Sequence, residues 1–206
     1  MLEFFPDFIL GFLAAFRTNL VIAVFALGVG LLLGAIFAYL LSRGGVIIKA
    51  VGLPVISLFR AFPVFVLMFV LWNFVPRSQS LAAPGFISDA DLILILALSA
   101  YSVSALFDVV FDALHFRSTG DQERVWLVIP NVFRIFVILV MSTSIGAAIG
   151  VKEAVTYTLI FSDGLVERSQ KIMLLLLATV FFAVFFAAAK LMLDQLTHRI
   201  KRRQVV

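Results

Sequence analysis

The sequence predicts an all-α integral membrane protein that crosses the bilayer five times, with its N-terminus outside and its C-terminus in the cytoplasm. Three observations carry this expectation. Of 206 residues, 63% are hydrophobic and only 14% charged, a balance outside that of soluble domains. The mean hydropathy of +1.15 makes lipid the solvent for most of the chain. The apolar residues also fall into long runs separated by polar intervals of at most roughly twenty residues, too short to hold a separate catalytic domain.

Residues 1–17 read as an external lead-in. Their start is acidic at Asp7 and lacks the basic opening of a cleaved secretory signal, so the first apolar segment is expected to stay in place. That segment, 18–41, begins at Thr18 and Asn19, both N-cap types, and continues to Leu41 without a charge. About 20 residues at 1.5 Å each span the hydrocarbon layer, so one helix crosses here. Gly30 and Gly34 form a GxxxG pair suited to close helix packing. Arg43-Gly44-Gly45 marks a turn, and a second helix is expected over 54–75, with Arg60 either snorkelling to an interface or pairing inside a bundle.

Pro76, Arg77, Pro84 and Gly85 form the next connector, followed by a third helix over 90–112. Asp108 and Asp112 share one face of it, which places them at the polar edge of the membrane. After the polar stretch HFRSTGDQER, a fourth helix is expected over 126–150. The small residues Ser142, Thr143, Ser144, Gly146 and Gly150 near its far end point to a break or to tight packing. The connector beyond it contains a short half-buried segment, VTYTLIF. A fifth helix covers 172–190, and the transmembrane domain as a whole covers 18–196, leaving 197–206 as a basic cytoplasmic tail.

Orientation follows from the basic residues. With the N-terminus outside, eight fall inside (Arg43, Lys49, Arg117, Arg124 and the four from Arg199 to Arg203) against four outside (Arg77, Lys152, Arg168, Lys171). The pI near 9.8 is therefore read as an anchor to membrane lipid on the inner face, not as nucleic-acid binding. Cysteine is absent, which removes disulfides, thiolate nucleophiles and cysteine metal sites. Neither a GxxxxGK[ST] loop nor an HExxH motif occurs, and His115 and His198 stand apart from any catalytic constellation. No catalytic residue, cofactor or metal ligand is expected. A five-helix chain would line a path only by associating with another copy or a related chain. An ion-coupled transporter or channel using Asp108, Asp112 or Arg60 is one class compatible with these residues.

Three short stretches resemble the permease subunits of bacterial ABC importers for polar amino acids. LFRAFPVFVLMFVLWNFVP is similar to that family's LFRGTPLLVQLFFIYFGLP through Arg60, Pro63, Val66, Phe69 and Pro76. Ser99-Ala100-Tyr101 matches the start of SAYIAEIFRGAL, with Ser104 and Phe107 where the family carries Glu and Arg. MSTSIGAAIGVKEA resembles KDTSLASVIGVPEL through Thr143, Ser144, Ile149, Gly150, Val151 and Glu153, with Met141 and Ser142 in place of Lys and Asp.

The resemblance implies a five-helix permease in a bacterial inner membrane that supplies half of a translocation path and is no enzyme itself. Its expected partners are a second permease subunit, two ATPase subunits that bind ATP and Mg, and an external or periplasmic solute-binding protein. The family's cytoplasmic EAA loop, near GQxEAAxxxG, docks on the ATPase. Here only Gly120-Asp121-Gln122-Glu123-Arg124 precedes Ile129-Pro130 and Arg134, which look like the family's ILPxxxR reached about ten residues early. Gly120, Gln122 and Glu123 are the candidate coupling residues of a shortened loop, and the second permease subunit could be a different chain with the full loop. Candidate path residues are Arg60, Ser142, Thr143 and Ser144, and candidate packing residues are Gly30, Gly34, Gly146 and Gly150. The alternative implied by the short loop is a structural or regulatory membrane subunit that keeps the permease fold without transporting.

Overall fold

The computed structural model describes residues 5–75 and 88–202, apart from the side chains of Gln122, Glu123, Lys201 and Arg202. Within them lie α1 (Phe5–Arg43), α2 (Val46–Ala61), α3 (Val64–Phe74), α4 (Asp89–Ser118), α5 (Gln122–Val125), α6 (Val128–Ser142), a 3-10 helix (Thr143–Ile149), α7 (Ala154–Asp163) and α8 (Arg168–Arg202). Among the described residues, four spans are long and apolar enough to cross a membrane: α1, α4, α6 with its 3-10 extension, and α8. The pair α2–α3 makes a fifth if its two halves count as one. The expected connector at Pro76, Arg77, Pro84 and Gly85 and the last four residues of the tail lie outside the described residues.

The second expected helix, 54–75, is not a single rod. It starts earlier, at Val46, and it bends by 92° between α2 and α3. Phe62 (φ −72°, ψ 118°) and Pro63 (φ −64°, ψ 121°) are both extended at the bend. Proline has no N–H to continue the ladder and drives the residue before it out of the helical region, so the Phe62-Pro63 step ends α2. Pro54, expected to open the helix, lies in the interior of α2.

The first helix also departs from expectation. It is continuous for 39 residues from Phe5, so no helix starts at Thr18, and the lead-in from Phe5 onward belongs to the same rod. At 1.5 Å per residue it is about 58 Å long, roughly twice the hydrocarbon thickness. A buried stripe on α1 recurs every three or four residues, at Phe8, Phe12, Phe16, Asn19, Ala23, Ala26, Gly30, Gly34, Ala38 and Leu41, with Ile22 buried beside it. This stripe changes size along its length, and the change decides what each half touches.

Phe12 and Phe16 pack edge-on into α8, with ring centroids 4.8 Å apart for Phe12–Phe181 and 4.9 Å for Phe16–Phe185, while Phe8 packs on α7, edge-on to Phe161 at 5.3 Å. Such pairs contribute about 0.5–1.5 kcal/mol each beyond burial. The small half lies backbone to backbone on α4, its most extensive helix contact. A Cβ on Gly34 would come 2.8 Å from Phe107 N and 2.9 Å from Val103 O, and one on Gly30 would strike Ser102. Close approach therefore needs the glycines at both positions.

The helix α4 is the most enclosed span, with Leu94, Ala97, Leu98 and Leu106 fully buried. Its start is a capping box in which Ser88 Oγ accepts from Asp91 N at 3.2 Å and Asp91 Oδ2 accepts from Ser88 N at 2.8 Å. By contrast α8 exposes Ile172, Leu175, Leu176, Val180, Val184 and Leu191, the face a lipid-bathed helix presents. It runs on past residue 190 into the expected tail, at least to Arg202.

Candidate functional site

Two polar constellations stand out among the apolar spans. One is buried where α1, the 3-10 helix and α7 meet. The other is exposed between α2 and α4.

The buried one starts from the hydroxyl-rich end of α6. Ser142 Oγ donates to Ile138 O at 2.9 Å and Thr143 Oγ1 to Val140 O at 2.7 Å. Such back-bonding competes with the regular ladder, and the helix continues as 3-10 from Thr143 to Ile149. Gly150 then stops it at φ +84°, a left-handed conformation natural to glycine, and Val151 N donates to Gly146 O at 3.0 Å. A Cβ on Gly150 would meet nothing within 4 Å, so this glycine serves a turn and not the helix packing expected of it. Gly146 is the packing residue, since its Cβ would come 2.5 Å from Leu94 Cδ2 of α4.

The turn delivers Glu153 to the start of α7, where it caps the helix. Its Oε1 accepts from Thr156 N at 2.7 Å and Thr156 Oγ1 at 3.1 Å, and its Oε2 from Val155 N at 2.9 Å. The remaining acceptor position meets Asn19 of α1. Asn19 Nδ2 donates to Glu153 Oε2 at 3.0 Å and to Thr143 Oγ1 at 2.8 Å, while its Oδ1 accepts from Ala154 N at 3.1 Å. Asn19, Thr143 and Glu153 are all fully buried. Every polar group of Asn19 is thereby engaged, as a buried amide requires.

This constellation corrects the local reading of Asn19 as an N-cap: it sits mid-helix and ties α1 to the 3-10 helix and α7, more than 120 residues away in sequence. It also places Thr143 inside the chain, with its hydroxyl engaged by Asn19 and Val140. Ser142 and Ser144 are half-buried beside it, and the Ser144 hydroxyl has no partner among the described residues.

In the exposed constellation, Arg60 Nη2 donates to both carboxylate oxygens of Asp108 at 2.7 Å, with side chains 58% and 52% exposed. Arg60 sits in the last turn of α2, just before the Phe62-Pro63 bend. Arg60 is paired, but with an exposed carboxylate and not inside a bundle. Asp112, one turn further along α4, is exposed and not engaged by Arg60. No hydrogen bond or ion pair among the described residues joins Arg60 to Ser142, Thr143 or Ser144.

The candidate coupling loop is compact. Gly120 turns the end of α4 at φ +82°, and Asp121 N donates to Phe116 O at 2.9 Å. Asp121 caps the four-residue α5, accepting from Arg124 N at 3.4 Å and pairing with Arg124 Nε at 3.0 Å. Arg124 also lies over the Phe116 ring at 5.3 Å. Gln122 and Glu123 belong to α5, but their side chains lie outside the described residues. Trp126, directly after α5, is 60% exposed. Among the described residues, no group of three or more His, Cys, Asp or Glu side chains could hold a metal ion.

No protein-family model and no curated protein sequence matches the chain. Two solved structures do. One is an amino acid ABC transporter with histidines, 15% identical, with a TM-score of 0.73 over 95% of this chain and 96% of that one. The other is the inward-facing MetNI methionine ABC transporter, 16% identical, with a TM-score of 0.60 over 95% of this chain and 99% of that one. Over that length this chain shares the all-α, multi-pass fold of these two ABC transporter chains.

Proposed function

We propose that this chain is the membrane-spanning permease subunit of an ATP-driven importer for amino acids or related small solutes. The single observation that supports this most is the fold match over nearly the whole length of one chain of a structure described as an amino acid ABC transporter. The three motif stretches agree with it. Thr143, Gly150 and Glu153 of the third stretch are the residues that shape the 3-10 break, its turn and the α7 cap.

In this reading the chain sits in a bacterial inner membrane, N-terminus outside, with five crossings in which α2 and α3 together make one. It pairs with a second permease subunit to enclose the path, and a solute-binding protein delivers cargo from outside. ATP and Mg are used by two separate ATPase subunits. The turn from Gly120 to Val125, including Gln122 and Glu123, faces the ATPase. Trp126 adds apolar area to that contact. Ser142, Ser144 and Arg60 border the path, where hydroxyls beside a broken helix hydrogen-bond a solute without the desolvation cost of a charge.

A single helical turn such as α5 is a small lever, which favours pairing with a different permease chain that carries a longer coupling loop. It equally motivates the second reading, a subunit that keeps the fold and assembles without coupling. Copurification of the intact complex with subunit stoichiometry, followed by reconstituted uptake, separates the readings. ATP-dependent uptake that is lost on deletion of this chain, or of its partner permease, is the expected result. A complex that assembles but transports equally well without this chain supports the structural subunit. Uptake driven by an ion gradient with no ATPase present overturns both.

A further inference from the structure

A recess opens where the last turns of α1 and α4 meet the first turn of α2. Arg43, Lys49, His115 and Arg117 line it above a floor of Phe111 and Leu114, it encloses about 610 Å³, and no carboxylate lines it. The ion pairs among the described residues are Arg60–Asp108 and Arg124–Asp121, which leaves Arg43, Lys49 and Arg117 without a described carboxylate partner. Uncompensated positive charge focused in one recess recruits an anion.

The surroundings say which kind. A shallow, open apolar groove lined by α1 alone runs past Gly28, Leu32, Ile36 and Tyr39. A Cβ on Gly28 would meet nothing within 4 Å, so the groove is open at that notch. Tyr39 ends the groove, and the Arg43 guanidinium lies over its ring at 5.1 Å. Positions 28, 32, 36, 39 and 43 recur at helical spacing, so the groove and Arg43 share one face. From Gly28 to Tyr39 the helix rises about 16 Å, the thickness of one hydrocarbon leaflet. The rim beyond Arg43 is apolar as well, with Val46 and Ile47 85% and 81% exposed. A soluble anion or an acidic protein segment would use the charges and leave this groove empty.

We propose that recess and groove together bind one anionic phospholipid, its phosphate held by Arg43, Lys49 and Arg117 and an acyl chain laid along α1 from Tyr39 toward Gly28. The site needs only that α1 spans the membrane and is independent of whether the chain transports. Basic recesses at the cytoplasmic ends of membrane helices suit such head groups, each cation adding several-fold to the attraction.

Native mass spectrometry of the full chain in detergent, titrated with dioleoylphosphatidylglycerol or dioleoylphosphatidylcholine, reads the site directly. The expected result is one lipid retained, with phosphatidylglycerol bound at least about tenfold more tightly. Replacing Arg43, Lys49 and Arg117 together by Gln should weaken it about a hundredfold, whereas R43K with R117K should hold it within a few-fold. Gly28→Phe, whose Cβ meets nothing within 4 Å inside the chain, should weaken phosphatidylglycerol but not soluble glycerol phosphate. Equal retention of the two lipids overturns the proposal, as does a triple variant that binds like the parent. Glycerol phosphate binding as tightly as the intact lipid would mark a soluble-anion site and sink the lipid. A lipid-free dimer would assign the face to a second copy. Should the triple variant fail to fold, the lipid comparison on the parent chain and Gly28→Phe still decide.

Discussion

The buried cluster of Asn19, Thr143 and Glu153 and the exposed pair of Arg60 and Asp108 use similar chemistry under opposite conditions. In the first, no water or lipid reaches the groups, so each hydrogen bond has to be supplied by the protein, and the carboxylate accepts four. Removing one member leaves the others stranded. In the second, both side chains are more than half exposed, and either can find a substitute partner when the other is lost. The difference teaches that a polar residue in a membrane protein is a structural tie where its valences are closed within the chain. It is a working contact where they are open.

The largest expected effect comes from Asn19→Leu. It keeps the volume roughly constant but orphans Ala154 N and the Thr143 and Glu153 oxygens that Asn19 supplies. A loss of about 3 kcal/mol is expected, read as denaturant unfolding in mixed micelles. A loss under about 0.5 kcal/mol would break the contrast. Thr143→Val should follow at about 1–2 kcal/mol, because Asn19 retains its bonds to Glu153 and Ala154. For both variants uptake should fall only in proportion to folded protein. Arg60 and Asp108 sharpen the other side. A double-mutant cycle with alanine should give a coupling below about 1 kcal/mol, with uptake reduced in Arg60→Ala at unchanged stability. Coupling of several kcal/mol would mean that the pair is desolvated by lipid and belongs with the buried cluster. Smallest is Ser102→Ala. This hydroxyl is fully buried against Gly30 without a hydrogen-bond partner, so its removal should be neutral or stabilising by about 0.5 kcal/mol, measured in the same unfolding assay.

Helix α4, the apolar core of α8 and the GxxxG contact were legible because each is written in consecutive residues: an apolar run long enough to span, or two glycines one turn apart. The Arg60 contact was not legible, since the sequence offers snorkelling or a pair inside a bundle, and only the placement of Asp108 on the facing helix makes an exposed pair. Nor was the extent of α1. Asp7 and Arg17 make residues 1–17 read as a lead-in outside the first helix, yet a helix longer than the bilayer carries charges at no cost where it leaves the lipid. The 92° bend between α2 and α3 had its signal in Phe62-Pro63, but the run of apolar residues on either side read as one span.

What the sequence by itself determined is the class: hydrophobic runs of spanning length, punctuated by charge, have to be membrane helices because lipid leaves the backbone no other partners. Only the tertiary structure decided the purpose of Asn19. An asparagine near a segment's start carries a strong local capping preference, and its actual partners lie 124 and 134 residues away. Local preference is worth about 1 kcal/mol, whereas leaving a buried carboxylate and amide unpaired costs several times that. The long-range contacts therefore win, and no window of neighbouring residues contains them.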